Sequence, residues 1–130
     1  MSAFTTKMEN SPGQLALLCD VLGERGVNLV VCGVAHGNEG AIAFIADDEA
    51  ATRAALAEAS IEYVEREALT VRMRNVPLAG AAVFRLLANA GINVDVFLPV
   101  QIFEDQFYAV ICPSDVAAAT SALGDHVVTR

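Results

Sequence analysis

The stretch Asn10-Ser11-Pro12-Gly13-Gln14-Leu15 is the part of this sequence best equipped to hold a small anion. Proline sets the backbone angle for a helix start, and the first turn of a helix carries unpaired N–H groups and partial positive charge. Glycine has no Cβ, so a carboxylate can come close to the amides of Ser11 to Leu15. An ammonium group needs acceptors instead. Asn28 with Leu29, and Asn93 with Val94 and Asp95, stand where strands begin, and side-chain amides, strand carbonyls and the Asp95 carboxylate could supply them. Asp95 is two residues beyond Asn93, a spacing that puts both on one face of a strand. Carboxylate donors and ammonium acceptors together suit a free amino acid. Simpler roles stay open for each group: Pro12 and Gly13 as a turn, Asn28 and Asn93 as turn closers after a glycine, Asp95 as a solvated charge.

Other chemistry is poorly supported. No nucleophile stands beside an activating base, and Gly37-Asn38-Glu39-Gly40 reads as a hairpin turn and not a phosphate loop. His36 lies in that polar turn, and His126 has no carboxylate or nucleophile pattern around it. The three cysteines, Cys19, Cys32 and Cys112, are unevenly spaced among apolar neighbours and are expected in the core. No zinc ladder is present, so neither a metal nor a cofactor is expected.

The elements that would position these groups occur twice. Sliding Asn10–Leu29 forward by 65 residues lands it on Asn75–Val94, matching Asn10 with Asn75, Pro12 with Pro77, Leu22 with Leu87, Gly26 with Gly91 and Asn28 with Asn93. The same register carries on to about Asp47 and Cys112, pairing Val31 with Val96 and Ile45 with Val110. In the first copy the expected order is a strand at Thr5–Glu9 and a helix capped by Asn10 or Ser11 and stopped by Gly26. A strand over Val27–Ala35, a return strand over Ala41–Ala46, an alanine-rich helix opened by Asp47-Asp48-Glu49 and a strand at Ile61–Glu65 follow. In the second copy the strands are expected over Ala68–Arg74, Ile92–Val100, Gln106–Cys112 and His126–Thr129, with helices over Leu78–Ala90 and Ser114–Leu123. Each copy is therefore βαββαβ, and the boundaries fall at residues 1–66 and 67–130.

The run Asn10-x-Pro12-Gly13-x-Leu15, a helix, then Gly26-Val27-Asn28-Leu29 resembles the ACT domain, and Leu86–Phe97 (LLANAGINVDVF) resembles the regulatory repeats of aspartate kinases. The resemblance spans nearly the whole chain. It implies an α+β chain of two ferredoxin-like repeats, with antiparallel sheets, helices on one face and the repeats joined side by side. It further implies a stand-alone, non-catalytic, allosteric module binding an amino acid at an inter-repeat or inter-subunit interface. The second copy departs from the pattern, with Leu78 in place of Gly13 and Gly80 in place of Leu15; a bulky Leu78 is expected to crowd a ligand, leaving one competent loop per chain.

Bulk properties narrow the partners. The net charge is −8 and the eight Lys and Arg form no run, which disfavours nucleic acid and anionic membranes. No apolar stretch is long enough to span a membrane and no secretory leader is evident, so a cytoplasmic location is expected. Val27–Ala35, Ala41–Ala46, Val96–Val100 and Phe107–Ile111 are apolar at nearly every position, so both sheet faces should be covered. A homodimer through sheet faces or edges follows as an expectation, along with an unidentified enzyme or regulator as a further partner. Two other readings remain: an acylphosphatase-like hydrolase, for which Arg25 and Arg85 stand at the wrong distance from a phosphate loop, and a ligand-free dimerisation scaffold.

Overall fold

A computed structural model describes residues 1–129. It divides into two compact units: one covers Ser2–Arg66, and the other takes Met1 and the chain from Glu67 on. In the first, β1 (Ser2–Glu9), α1 (Gln14–Gly23), β2 (Leu29–His36), β3 (Glu39–Ala46), α2 (Glu49–Glu58) and β4 (Val64–Glu67) build a sheet of order β2-β3-β1-β4. In the second, β5 (Leu69–Arg74), α3 (Ala79–Asn89), β6 (Val94–Phe103), β7 (Gln106–Pro113) and α4 (Val116–Leu123) surround a sheet of order β5-β7-β6. The result is an α+β protein of two ferredoxin-like repeats.

The helices form because their apolar residues recur at helical spacing and meet the sheet. Leu18 and Leu22 of α1, with Ala55 and Leu56 of α2, close over Phe4, Ile42 and Phe44. The Phe4 and Phe44 rings stack at 5.3 Å between centroids. In the second repeat Val83 and Leu87 of α3, with Ala119 and Leu123 of α4, close over Val71, Met73, Ala109 and Ile111. Gly26 and Gly91 end α1 and α3 in the left-handed region, at φ 72° and 71°. Each is followed by a residue whose N–H returns to the last turn: Val27 to the Leu22 carbonyl at 3.1 Å and Ile92 to Leu87 at 2.9 Å.

The register departs from a uniform repeat. From β1 to β5 the offset is 65, as in Phe4 to Leu69, but from β3 to β7 it is 67, as in Phe44 to Ile111, because Phe4 pairs with Phe44 and Leu69 with Ile111. The two extra residues enter β6 as bulges, between Val94 and Val96 and between Pro99 and Gln101. Each bulge adds one residue and reverses which face the following side chains take. So Ile45 and Val110, and Val31 and Val96, are not structural equivalents. The closing strand expected at His126–Thr129 is reduced to a single bridge, Val127 to Val71, after a 3-10 turn over Gly124–His126. The closing strand of the first repeat, expected at Ile61–Glu65, starts three residues later and ends two later, at Val64–Glu67.

Two cysteines also depart from expectation. Cys112 is buried, but Cys19 and Cys32 are exposed. Cys19 follows Leu18 and so lies off the buried stripe of α1, while Cys32 alternates with Val31, whose side chain packs on the core, and therefore takes the opposite face of an edge strand.

Candidate functional site

The loop Asn10–Gly13 joins β1 to α1 and is held from one side by the β2–β3 hairpin. The Asn10 backbone N–H donates to the Asn38 carbonyl at 2.9 Å, and its side-chain Nδ2 donates to the Gly37 carbonyl at 2.9 Å. Asn10 thus fastens the loop. The helix cap is not Asn10 or Ser11 but Gly13, at φ 90° and ψ −8°, and no side chain caps the helix. A left-handed residue here turns the chain before the helix and leaves Ser11 too far back to reach the first-turn amides. Pro12, Gly13 and Leu15 are exposed, while Ser11 and Gln14 are half-buried.

The other helix starts show what this loop lacks. Asp48 caps α2 by accepting from the Ala51 N–H at 2.9 Å, with Glu49 adding negative charge to the first turn. Asp115 caps α4 in the same way, accepting from Ala118 at 2.9 Å. Carboxylates therefore satisfy α2 and α4, whereas α1 has neither a cap nor an acidic residue in its first turn. Helix α3 matches α1: its cap is Leu78 at φ 70° and ψ −7°, again without a side-chain bond. The Leu78 side chain is 82% exposed and points away from the chain. The second loop keeps the backbone of the first despite its bulky residue, and Gly80 lies under Met73, where a Cβ would sit 3.8 Å from the sulfur.

The acceptor groups do not join this loop within a repeat. Asn28 precedes β2 at the far end of α1; its N–H donates to Asp47 Oδ1 at 3.0 Å, and the Asp47 N–H donates back to the Asn28 carbonyl at 3.1 Å. A ten-residue helix separates that point from Gly13, a span of about 15 Å at 1.5 Å per residue. Leu29 pairs with Ala46, while His36, at the other end of β2, pairs with Glu39 beside the loop. The second repeat repeats the arrangement: Asn93 N–H donates to Ser114 Oγ at 3.0 Å, and Ser114 N–H donates to the Asn93 carbonyl at 2.8 Å. Asp95 sits in the first β6 bulge, so the two-residue spacing no longer places it as in a regular strand; Asn93 Nδ2 donates to its Oδ1 at 3.1 Å. Val94 pairs with Pro113 and packs on the core.

The hairpin residues Gly37 and Asn38 are the site neighbours that sequence reading missed. Their signal was indirect. Strands β2 and β3 are equal in length, and antiparallel pairing must bring their turn back to the end where β1 leaves the sheet.

No family model and no curated protein matches the sequence. Solved structures do match in shape. Protein BT0572 from Bacteroides thetaiotaomicron superposes with a TM-score of 0.83 at 21% identity, covering 98% of this chain and 90% of its own. The ligand-free regulatory subunit of aspartate kinase from Thermus thermophilus gives 0.71 at 21% identity, covering 96% and 91%. The corresponding regulatory subunit from Thermus flavus gives 0.66 at 20%, covering 94% and 88%. At such identities the likeness is one of fold, and it extends over both repeats.

Proposed function

We propose that this chain, which carries the tandem ACT-type fold, is a non-catalytic regulatory module that binds a free amino acid or similar small metabolite at the loop Ser11–Leu15. The contrast among helix starts carries the reading: α2 and α4 are closed by their own carboxylates, while α1 presents its first turn without one, behind a glycine that leaves the backbone approachable. A ligand carboxylate would take the place that Asp48 and Asp115 fill elsewhere. The information would pass to an enzyme or regulator outside this chain, and the neighbours of like fold that are named as regulatory subunits support that role. Exposed thiols at Cys19 and Cys32 suit a reducing, cytoplasmic setting.

The reading includes a homodimer through β2. That strand is a free sheet edge with eight residues, no proline and no register shift, and Val34 on it is 70% exposed. Such an edge is a template for strand addition. The edge strand β6 of the second sheet, by contrast, carries Pro99 and two bulges, which oppose it. Antiparallel addition of β2 to its copy about the centre of the strand would set Leu29 beside the partner subunit's His36. That brings Asn28 of one chain to the loop end of the other, so that both groups reach one ligand.

Sedimentation of the wild type and of Val34→Lys, with and without each of the twenty amino acids at millimolar concentration, tests this. The expected result is a wild-type dimer, a monomeric variant, and a ligand that binds the dimer alone. A dimer without any ligand effect would leave a scaffold; a monomer throughout would remove the shared site.

A further inference from the structure

The face of the second sheet turned away from its helices gathers hydrogen-bond donors at the hairpin end. Val71 and Met73 pack on the core, so Arg72 and Arg74 of β5 take the opposite face. Strand pairing extends that face in two rows: Arg72 with Tyr108 and Gln101, then Arg74 with Gln106 and Phe103. Gln101 and Phe103 belong to it only through the bulge between Pro99 and Gln101; a regular β6 would turn Val100 and Ile102 there instead. Bulges that re-aim side chains are over-represented beside active sites. None of the six residues is acidic, in a chain with 16 Asp and Glu against eight Lys and Arg. Among the described residues neither arginine joins an ion pair, whereas Arg25 pairs with Glu58 and Arg53 with Glu49 and Glu65. Two like charges on one strand face repel each other, and a bound anion would relieve the repulsion. The donor set is particular to this repeat: where Arg74 pairs with Gln106 at the end of β5, Glu9 pairs with Glu39 at the end of β1.

We infer that this face binds a nucleoside phosphate, with the base laid on Phe103 and the phosphates held by Arg72 and Arg74. The spacing carries the assignment. Phe103, 57% exposed, ends its row on β6, and the arginines stand on β5, two strand spacings or about 10 Å away. That suits a molecule with a flat ring at one end and an anion at the other. Any base offers a π-face to an aromatic ring, and arginine grips phosphate with paired N–H bonds. Between the two ends, Gln101 and Tyr108 add an amide and a hydroxyl donor. Gln106 is engaged already, its Nε2 donating to Asp105 Oδ1 at 3.2 Å. Glu104 and Asp105 lie in the hairpin turn beyond the last row. With the net charge of −8, they oppose a long polyanion such as RNA far more than a compact phosphate seated on two arginines. The site belongs to the second repeat and does not depend on the loop Ser11–Leu15 of the first.

Calorimetric titration of the full chain with ADP, adenosine and pyrophosphate tests the site. ADP should bind more tightly than either of its halves. Arg72→Gln with Arg74→Gln should weaken ADP binding by about tenfold or more, and Phe103→Ala should bring ADP down to the affinity of pyrophosphate. Amide shifts on adding ADP should gather at Arg72–Arg74, Gln101–Phe103 and Gln106–Tyr108. The three substituted side chains are exposed, so circular dichroism should show the fold retained; if the double arginine variant does not fold, Phe103→Ala decides alone. Pyrophosphate binding as tightly as ADP would overturn the proposal, as would ADP shifts elsewhere in the chain or no ADP binding at millimolar concentration. So would a single-stranded oligouridylate that binds more tightly than ADP and loses its binding in the same variants, which would give the face to RNA.

Discussion

Gly13 and Leu78 hold nearly the same left-handed backbone at equivalent helix starts, yet only one of them is a glycine. A left-handed leucine costs about 1–2 kcal/mol, and the glycine that would relieve it gives back about 0.4–1 kcal/mol through the freer unfolded chain. Leu78→Gly should therefore stabilise the protein by about 0.5–1 kcal/mol, read from urea melts; a loss of stability would mean that the exposed side chain packs on something. A second residue-scale effect is electrostatic. Arg53 Nε donates to Glu65 Oε2 at 2.9 Å and its Nη2 reaches Oε1 at 2.5 Å. Those bonds, with a smaller contribution from Ser2, lower the Glu65 carboxyl to about 2 from its ordinary 4.5. A carboxyl depressed in the folded state adds stability that is complete above pH 4.5 and fades as the pH falls toward 2. Arg53→Ala should thus lower the urea midpoint at pH 7 and not at pH 2. An equal loss at both would assign the arginine a packing role instead.

At the scale of the element, the same comparison of helix starts makes opposite predictions for two polar residues. Asp48 caps α2, so Asp48→Ala should cost about 1 kcal/mol. Ser11 was expected to share the cap of α1 but caps nothing, so Ser11→Ala should leave the chemical melting midpoint almost unmoved. Equal effects of the two substitutions would contradict the cap assignment. Much of this level was legible in the sequence. Asn10, Pro12 and Gly26 recur at Asn75, Pro77 and Gly91, and they mark turns and helix ends through backbone geometry that depends little on distant contacts. What was not legible depends on partners remote in the chain. The bulges at Asp95 and Val100 arise where a ten-residue β6 must pair with an eight-residue β7, and nothing local to Asp95 announces it. The shrinking of His126–Thr129 to one bridge likewise follows from a chain that turns once at Gly124 before reaching β5. The exposure of Cys19 and Cys32 is set by which side of α1 and β2 meets the core, and an apolar neighbourhood in sequence does not decide that.

For the whole molecule, duplication has produced two backbones of one kind with different surfaces. Both repeats keep an uncapped first helix, while the second replaces the small residues around its loop with large apolar ones. The loop site of the first repeat was legible in its composition, but its acceptor half was not. Only the path of α1 shows that Asn28 and Leu29 lie a helix length from Gly13. Among the described residues no helix is long and apolar enough to cross a membrane. The central claim is that the bare first turn of α1 receives a ligand carboxylate. Thermal melts of the wild type and of Gly13→Leu against each of the twenty amino acids test it most directly. An amino acid present at about 100 times its dissociation constant should stabilise the wild type by about 2.7 kcal/mol, and Gly13→Leu, which gives the first loop the residue of the second, should lose that stabilisation while still unfolding cooperatively. A panel in which no amino acid raises the wild-type melt, or in which one raises both proteins equally, would contradict the claim.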